Sequence, residues 1–198
     1  YHWTLCARIL AEKPIITWNN GDNRCNMLRV EDFAVGVVGL IGNDKAYNEA
    51  FNICGDETPS WREVLSAVEN YLGKKAITID VTSEFYAKQL PHRAGEILGG
   101  RSIDANISNI KIKAIVPEFK QSISIKEGVF KTLDAYQAQN YQLGIDWRFD
   151  GDTDRILEMW CNTQGVSSKN YNLGFVDYLG KATWQDKYQY LNTKYHDA

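Results

Sequence analysis

The sequence predicts an α/β fold, in which a mixed α+β lobe is followed by a mostly helical or irregular C-terminal extension. Up to about residue 138, segments with helical periodicity alternate with short β-rich segments. Hydrophobic residues make up 44% and charged residues 24% of the 198-residue chain, which is an ordinary globular composition. From residue 139 onward the periodicity weakens, and glutamine, asparagine, glycine and aromatic residues dominate. We therefore expect a lobe over residues 1–138 and an extension over 139–198 that packs on it.

The first part of the lobe predicts a helix, a hairpin and a second helix. Residues 3–12 follow helical spacing, and Pro14 cannot continue a helix interior. The β-rich segment 15–18 and the segment 26–30 flank a turn rich in asparagine and glycine, which predicts a small hairpin. A helix is predicted over 31–41, because acidic residues in its first turn are favourable against the helix dipole.

Two capping boxes predict the starts of two further helices. In each, a serine hydroxyl and a glutamate three residues later satisfy free backbone N–H groups, as Ser60 with Glu63 and Ser124 with Glu127. The first of these helices has one apolar face, formed by Trp61, Val64, Leu65, Val68, Tyr71 and Leu72. The remaining elements predicted in the lobe are strands at 50–54 and 76–81 and a short helix at 83–89.

The extension predicts two helices. Residues 152–160 are expected to be helical, and so are residues 183–195. The second segment is polar, with Trp184, Tyr188 and Leu191 on one face.

Charge and composition exclude several classes of function. A net charge of −3 without a basic stripe disfavours nucleic acid and anionic membranes as partners. No apolar run approaches the ~20 residues that span a bilayer, and the first residues do not form a signal peptide. The four cysteines lie far apart and form no CxxC pair, which favours free thiols in a reducing compartment. We therefore expect a cytoplasmic protein without a membrane segment.

Two motifs resemble cofactor or catalytic signatures, but their context favours simpler explanations. Gly36, Gly39 and Gly42 match GxxGxxG, yet they lie inside an apolar helical run instead of following a strand, which indicates close helix packing. The YxxxK spacing occurs from Tyr71 and from Tyr190. The first match is broken by a glycine at a helix end and the second lies on a polar segment, so both favour chance. The sequence therefore predicts no cofactor-binding and no catalytic residue.

Metal sites are also not predicted. The segment 150–154 has three alternating aspartates, but the glycine and glutamate of a calcium loop are missing at the required positions. An acidic helix N-terminus explains that segment better. The three histidines have no partners at metal-ligand spacing.

Four arginines are the candidate substrate-binding residues. They lie in turn-rich or strand-end segments, where a guanidinium can hold a phosphate through two hydrogen bonds. These residues are Arg24, Arg29, Arg93 and Arg101. For each of them, surface solvation or a structural ion pair is the competing interpretation.

Five segments, in order, resemble the post-catalytic region of the extended short-chain dehydrogenases, the NAD-dependent epimerase/dehydratase family. The resemblance covers about residues 1–137 and lies in V-E-D-F-A at 30–34, A-F-N-I-C-G at 50–55, S-W-R-E-V at 60–64, the stretch 108–119 and the helix at 124–136. It implies that this chain is the C-terminal, substrate-binding part of such an enzyme. The family's cofactor-binding Rossmann portion and its YxxxK pair lie upstream of this region. The chain does not begin with methionine, so we expect residue 1 to be an internal position of a longer protein.

The resemblance also implies a cofactor, a substrate class and a role for the arginines. The parent protein is expected to use NAD or NADP on a nucleotide sugar or related small molecule, while this chain alone binds no cofactor and is inactive. Arg24 and Arg29 stand near the family's V-x-D segment, and Arg101 stands before its D-x-K element. Ser108 replaces the aspartate of that element, so the register is inexact. Two alternatives remain open: a freestanding, non-catalytic ligand-binding module and a protein-interaction module. Loss of a sheet neighbour would also favour self-association.

Overall fold

Helices dominate the structure, a computed structural model that describes residues 2–138 and 144–195. The helices are α1 (His2–Leu10), α2 (Val30–Leu40), α3 (Trp61–Leu72), α4 (Ser83–Gln89), α5 (Ala94–Glu96, continued by a π-helical turn, Ile97–Arg101), α6 (Ile110–Ile115), α7 (Ile125–Ala138), α8 (Trp147–Thr163) and α9 (Trp184–Tyr195). The strands are β1 (Ile15–Thr17) and β2 (Thr78–Asp80). The predicted mixed fold is confirmed. The boundary predicted at residue 139 lies outside the described residues and stays a prediction.

The two strands form a small parallel sheet. Ile16 of β1 pairs with Ile79 of β2, and the register continues to Thr17 and Asp80. The predicted hairpin between 15–18 and 26–30 is wrong. After β1 the chain turns away and bridges Ser60 through Arg24, just before α3 begins. The partner of β1 is thus β2, which follows α3 in the chain, and not the segment 26–30.

The strand predicted at 50–54 is also wrong. Its composition is β-rich, but none of the backbone N–H groups of 51–54 donates to a backbone carbonyl within the described residues. A strand needs a partner for its backbone groups, and this segment has none there. Its side chains pack instead, since Ile53 lies directly against α2 at Gly36.

Helix α2 is apolar on nearly every side, but most of it is exposed. Only Asp32 and Gly36 of this helix are buried, whereas Val30 and Val38 are each 68% exposed and the following Ile41 is 75% exposed. Helices that are apolar all round are usually buried on all sides. The exposed side of α2 is therefore a surface suited to contact with another protein segment. None of the described helices combines the length and apolar character needed to cross a bilayer.

Helix capping follows the sequence closely. The Ser60 hydroxyl accepts from the backbone N–H of Glu63, while the Glu63 carboxylate accepts from the backbone N–H of Ser60, so the first predicted capping box is complete. Gly73 ends α3 in the left-handed conformation, with φ +64°. At α7 the Ser124 hydroxyl caps in the same way, but the glutamate of that box pairs with Lys131.

The residues after 143 share a core with the lobe. Tyr86, Leu90 and Ile97 of the lobe form one buried cluster with Ile156 and Leu157 of α8. Trp18, which follows β1, packs against this cluster and meets the Tyr86 ring edge-on, with 5.2 Å between ring centroids. Helix α8 is thus part of the surroundings of β1.

A fully buried charge cluster joins α1 to α8. Arg8 donates to Asp150 at 2.5 Å and to Asp154 at 2.8 Å, and Lys13 donates to Asp154 at 2.7 Å and to Asp150 at 3.2 Å. All four side chains have no solvent exposure. Burial disfavours the charged guanidinium, but the two aspartates outweigh it and raise the pKa of Arg8. The same burial outweighs the aspartates at Lys13 and lowers its pKa. The aspartates of segment 150–154 are therefore ion-pair partners rather than only an acidic helix start.

Helix α9 closes the other side of this cluster. The Tyr190 hydroxyl donates to Asp154 at 2.5 Å, and Lys194 donates to Glu158 of α8 at 2.7 Å. Of the face formed by Trp184, Tyr188 and Leu191, only Leu191 packs on the core, beside the fully buried Tyr190, whereas Trp184 is 72% and Tyr188 is 59% exposed. Hydrogen bonding to the aspartates of α8, rather than apolar area alone, sets the orientation of α9.

Candidate functional site

A large cavity lies between α1, α3 and α7, with β1 at one side. Its volume is about 710 Å³, which is within the range of small-molecule sites. Four of the six residues on the apolar face predicted for α3 line it, together with residues of α1 and α7. The aliphatic lining residues include Leu5, Val64, Leu65, Val68, Val129 and Leu133.

Charged and aromatic side chains lie around this apolar wall. Arg29, Arg62, Arg101, Trp18 and Trp61 all line the same cavity. The guanidinium of Arg101 lies over the ring of Trp61, 5.0 Å from its centroid. This is a cation–π contact, which holds the arginine against the rim.

Arg29 is held firmly in place at the cavity. Its guanidinium donates to the Glu31 carboxylate at 2.6 and 3.0 Å and to the Thr132 hydroxyl at 2.9 Å. A side chain at Gly128 would place a Cβ only 3.1 Å from Arg29, so this glycine leaves room for the arginine to lie across α7. The hydrogen bonds to Glu31 are the main cause of the raised pKa of Arg29.

The four arginines predicted from the sequence are not gathered at one place. Arg29 and Arg101 share the large cavity. Arg24 lies at a separate, smaller depression and donates to the Thr58 carbonyl at 2.7 Å. Arg93 donates to the Tyr86 hydroxyl at 3.0 Å and to Glu96 at 2.9 Å. Binding of a substrate by any of the four stays a prediction. Arg29 and Arg101 are the pair whose geometry favours binding of the same ligand, because they line one cavity.

Glu96 connects two of these arginines. It accepts from Arg101 at 2.8 Å and from Arg93 at 2.9 and 3.1 Å. Burial raises the pKa of this carboxyl, but the hydrogen bonds from the two guanidinium groups outweigh burial and leave it below its ordinary value. One carboxylate is thus shared by two cations beside the cavity rim.

Two tryptophans of the site were not singled out as functional from the sequence. The indole N–H groups of Trp18 and Trp61 are buried and have no hydrogen-bond partner among the described residues. Buried indole N–H groups normally have an acceptor. The sequence places Trp61 on an apolar helix face and gives no sign of a functional role for it. The large number of aromatic residues in the chain is the one feature that points to such a role.

Cys6 is a buried thiol in the cavity wall. It is 1% exposed, and burial raises its pKa from 9.0 to about 11. All four cysteines are free, as predicted. A protonated, buried thiol is a poor nucleophile, so Cys6 acts here as an apolar wall residue.

The raised pKa of Cys6 predicts a loss of stability in alkaline solution. The unfolded thiol ionises near pH 9 and the folded one near pH 11, so its contribution is full below pH 9 and disappears as the pH rises to 11. The largest loss is about 2–3 kcal/mol, from two pKa units. Chemical denaturation at pH 8 and pH 11 should show a smaller pH effect in Cys6→Val than in the natural chain. An equal effect in both would contradict the assignment.

The glycine-spaced motif does not form a cradle for a dinucleotide. A Cβ at Gly39 would lie 2.3 Å from Val116, and one at Gly36 would lie 2.8 Å from Ile53. Side chains of the protein therefore fill the space in front of these glycines within α2, and the residues present do not fit a nicotinamide dinucleotide. Close packing, as predicted, explains the motif. Within residues 2–138 and 144–195, no group of histidine, cysteine, aspartate or glutamate side chains is arranged to hold a metal ion.

The fold has clear similarities among solved structures. A UDP-glucuronic acid 4-epimerase from Bacillus cereus, in complex with UDP-glucuronic acid and NAD, matches 64% of this chain and 36% of its own chain, with 20% identity and a TM-score of 0.50. A nucleoside-diphosphate-sugar epimerase from Staphylococcus aureus matches 63% of this chain and 46% of its own, with 17% identity and a TM-score of 0.48.

Sequence comparison gives a further relative. A 2'-dehydrokanamycin reductase from Streptomyces kanamyceticus is 27% identical over 84 residues, which are 42% of this chain and 24% of that protein. No protein-family model matches the chain. The chain thus spans about a quarter of the reductase and about a third of the Bacillus epimerase. Over 64% of the chain the fold is similar to that of part of the Bacillus epimerase, and the predicted resemblance is confirmed for the fold.

Proposed function

We propose that this chain is the substrate-binding part of an NAD(P)-dependent epimerase, dehydratase or reductase that acts on a nucleotide sugar or a related molecule. The observation that carries the proposal is the cavity of about 710 Å³ that both Arg29 and Arg101 line, in a chain whose fold is similar in part to that of a sugar epimerase. In the whole enzyme, NAD or NADP supplies hydride transfer. The proposed location is cytoplasmic, in keeping with four free thiols.

The role of this chain's own residues is binding and orientation. Arg29 is fixed by three hydrogen bonds, so its guanidinium presents a preorganised positive charge at the cavity. Holding a substrate in one orientation lowers the entropic part of a reaction barrier without any catalytic group from this chain. We propose that the chain alone binds substrate but neither binds cofactor nor turns substrate over.

Calorimetric titration of the chain with UDP-glucuronic acid, and separately with NAD, tests this function. We expect saturable binding of the nucleotide sugar and no binding of NAD. Arg29→Gln should weaken binding of the nucleotide sugar about tenfold, the equivalent of ~1.4 kcal/mol. Arg148→Gln, on the exposed side of α8, is the matched control and should leave binding unchanged. Tight binding of NAD by the chain, or no binding of any nucleotide sugar, would reject the proposal.

A second candidate is a protein-interaction module. It is favoured by the exposed apolar side of α2 and by Trp184, Tyr188 and Tyr195, which project from α9 with 72%, 59% and 61% exposure. Exposed aromatic side chains on one helix are common in protein interfaces. This candidate includes self-association of the chain. It differs from the first in that no small molecule is expected to bind.

A further inference from the structure

Part of the lining of the cavity between α1, α3 and α7 is formed by aliphatic side chains. Val64, Leu65 and Val68 of α3 face Val129 and Leu133 of α7 across it. A nucleobase or sugar placed against these side chains would leave donors and acceptors without partners, which is unfavourable. A hydrocarbon or plain aromatic body of the same size would be buried without that cost. The aliphatic part of the lining therefore favours an apolar group on the ligand.

The charges that line the cavity are mainly positive. Among the described lining residues, three are arginines and the one carboxylate is Glu69. That carboxylate is already bonded, since it accepts from Lys75 at 2.6 Å and from the backbone N–H of Ala76 at 2.9 Å. A ligand with an acidic group is thus favoured over a cationic one.

Arg101 is the arginine best able to bind an acidic group. The nitrogens of Arg29 are bonded to Glu31 and Thr132, and two nitrogens of Arg62 are bonded to Asp22. In Arg101 only Nε donates to Glu96, and neither terminal nitrogen donates to an acceptor in the described part of the chain. A guanidinium has five N–H donors in a fork that matches an acidic group. Four of these donors remain available on Arg101.

The aromatic surroundings of Arg101 also favour an acidic group of the ligand at this arginine. Its guanidinium lies over Trp61, and its side chain is 34% exposed, which leaves it accessible from the cavity rim. The Trp61 indole N–H lacks an acceptor among the described residues. An acidic oxygen near Arg101 would have a cation and available N–H donors close by.

We propose that the cavity binds an amphiphilic organic anion, with its hydrocarbon body between α3 and α7 and its acidic group at Arg101. This inference rests on the proposed function, because it names the substrate class of the same cavity. The part of the substrate that binds in the cavity would carry an apolar group. This group would be present either together with a nucleotide or instead of one.

Titration with 1-naphthyl phosphate tests this inference, and quenching of tryptophan fluorescence provides the readout because Trp18 and Trp61 line the cavity. We expect 1-naphthyl phosphate to bind at least tenfold more tightly than inorganic phosphate or uridine monophosphate. Arg101→Gln should weaken its binding about tenfold, whereas Arg148→Gln should not. Leu65→Trp should abolish binding by filling the cavity, and circular dichroism checks that this variant is folded.

The outcomes separate this inference from the proposed function. If UDP-glucuronic acid binds and 1-naphthyl phosphate does not, the inference is rejected while the proposed function remains. Binding of 1-naphthyl phosphate without any nucleotide sugar supports the inference and rejects the nucleotide-sugar substrate. Equal binding of 1-naphthyl phosphate by Arg101→Gln and the natural chain would overturn the inference, as would no binding of either ligand.

Discussion

Replacing Asp154 with alanine is expected to lower the free energy of unfolding by about 3–5 kcal/mol, because it leaves two buried cations, Arg8 and Lys13, with Asp150 as their one remaining carboxylate among the cluster residues. Asp154 accepts from Arg8, from Lys13 and from the Tyr190 hydroxyl, and none of these side chains reaches solvent. Single domains are stable by only about 5–15 kcal/mol, so the loss is a large fraction of the total. If the total stability is at the low end of this range, the Asp154→Ala variant should be largely unfolded at physiological temperature.

Urea denaturation followed by tryptophan fluorescence measures this effect. Glu127→Ala is the matched control, because it removes a carboxylate from an ion pair with Lys131 in which both side chains are about half exposed. Exposed pairs contribute ~0–1 kcal/mol, so the control should change stability little. If Asp154→Ala and Glu127→Ala were equally mild, the cluster would not hold the fold together.

Replacing Gly39 with alanine is expected to destabilise the chain by about 1–3 kcal/mol, the usual cost of overpacking a core. The added Cβ would lie 2.3 Å from Cγ1 of Val116, and Val116 is 2% exposed, so it has no open space into which to move. Helix α2 would have to shift away from α6 and from the segment that follows it. The loss would come entirely from packing, since alanine is the better helix former.

A double-mutant cycle with Val116→Ala tests this contact. Removing the valine methyl groups gives space to the new Cβ. The double variant should therefore lose less free energy of unfolding than the sum of the losses in the two single variants. Gly95→Ala is the matched control, because no atom lies within 4 Å of the position that its Cβ would occupy, and the change should be neutral. Additive energies at residues 39 and 116 would show that the two positions do not touch.

Local signals in the sequence predicted the helices well. The Ser60 capping box and Gly73 at the end of α3 act through neighbouring residues, so the sequence contains the whole interaction. The strands were harder to predict, because a strand is defined by its partner. The composition of 50–54 is that of a strand, but its pairing depends on backbone groups far away in the chain.

The candidate site was predictable only in part. The sequence predicts arginines in turns as ligands for an anion, but which of them share a cavity depends on how α3 packs against α7. The buried cluster was missed because Arg8 and Asp150 are 142 residues apart and each resembles an ordinary surface charge in the sequence. No local pattern marks a charge that becomes buried through a distant partner.

The distance between these partners has a consequence for synthesis of the protein. Arg8 leaves the ribosome about 140 residues before Asp150, and at about 5–20 residues per second this delay is roughly 7–30 s. During that interval Arg8 and Lys13 lack their partners from α8, because Asp150 and Asp154 have not yet been translated. Helix α1 must therefore stay hydrated until α8 emerges, and a nascent chain halted before residue 150 cannot reach this arrangement.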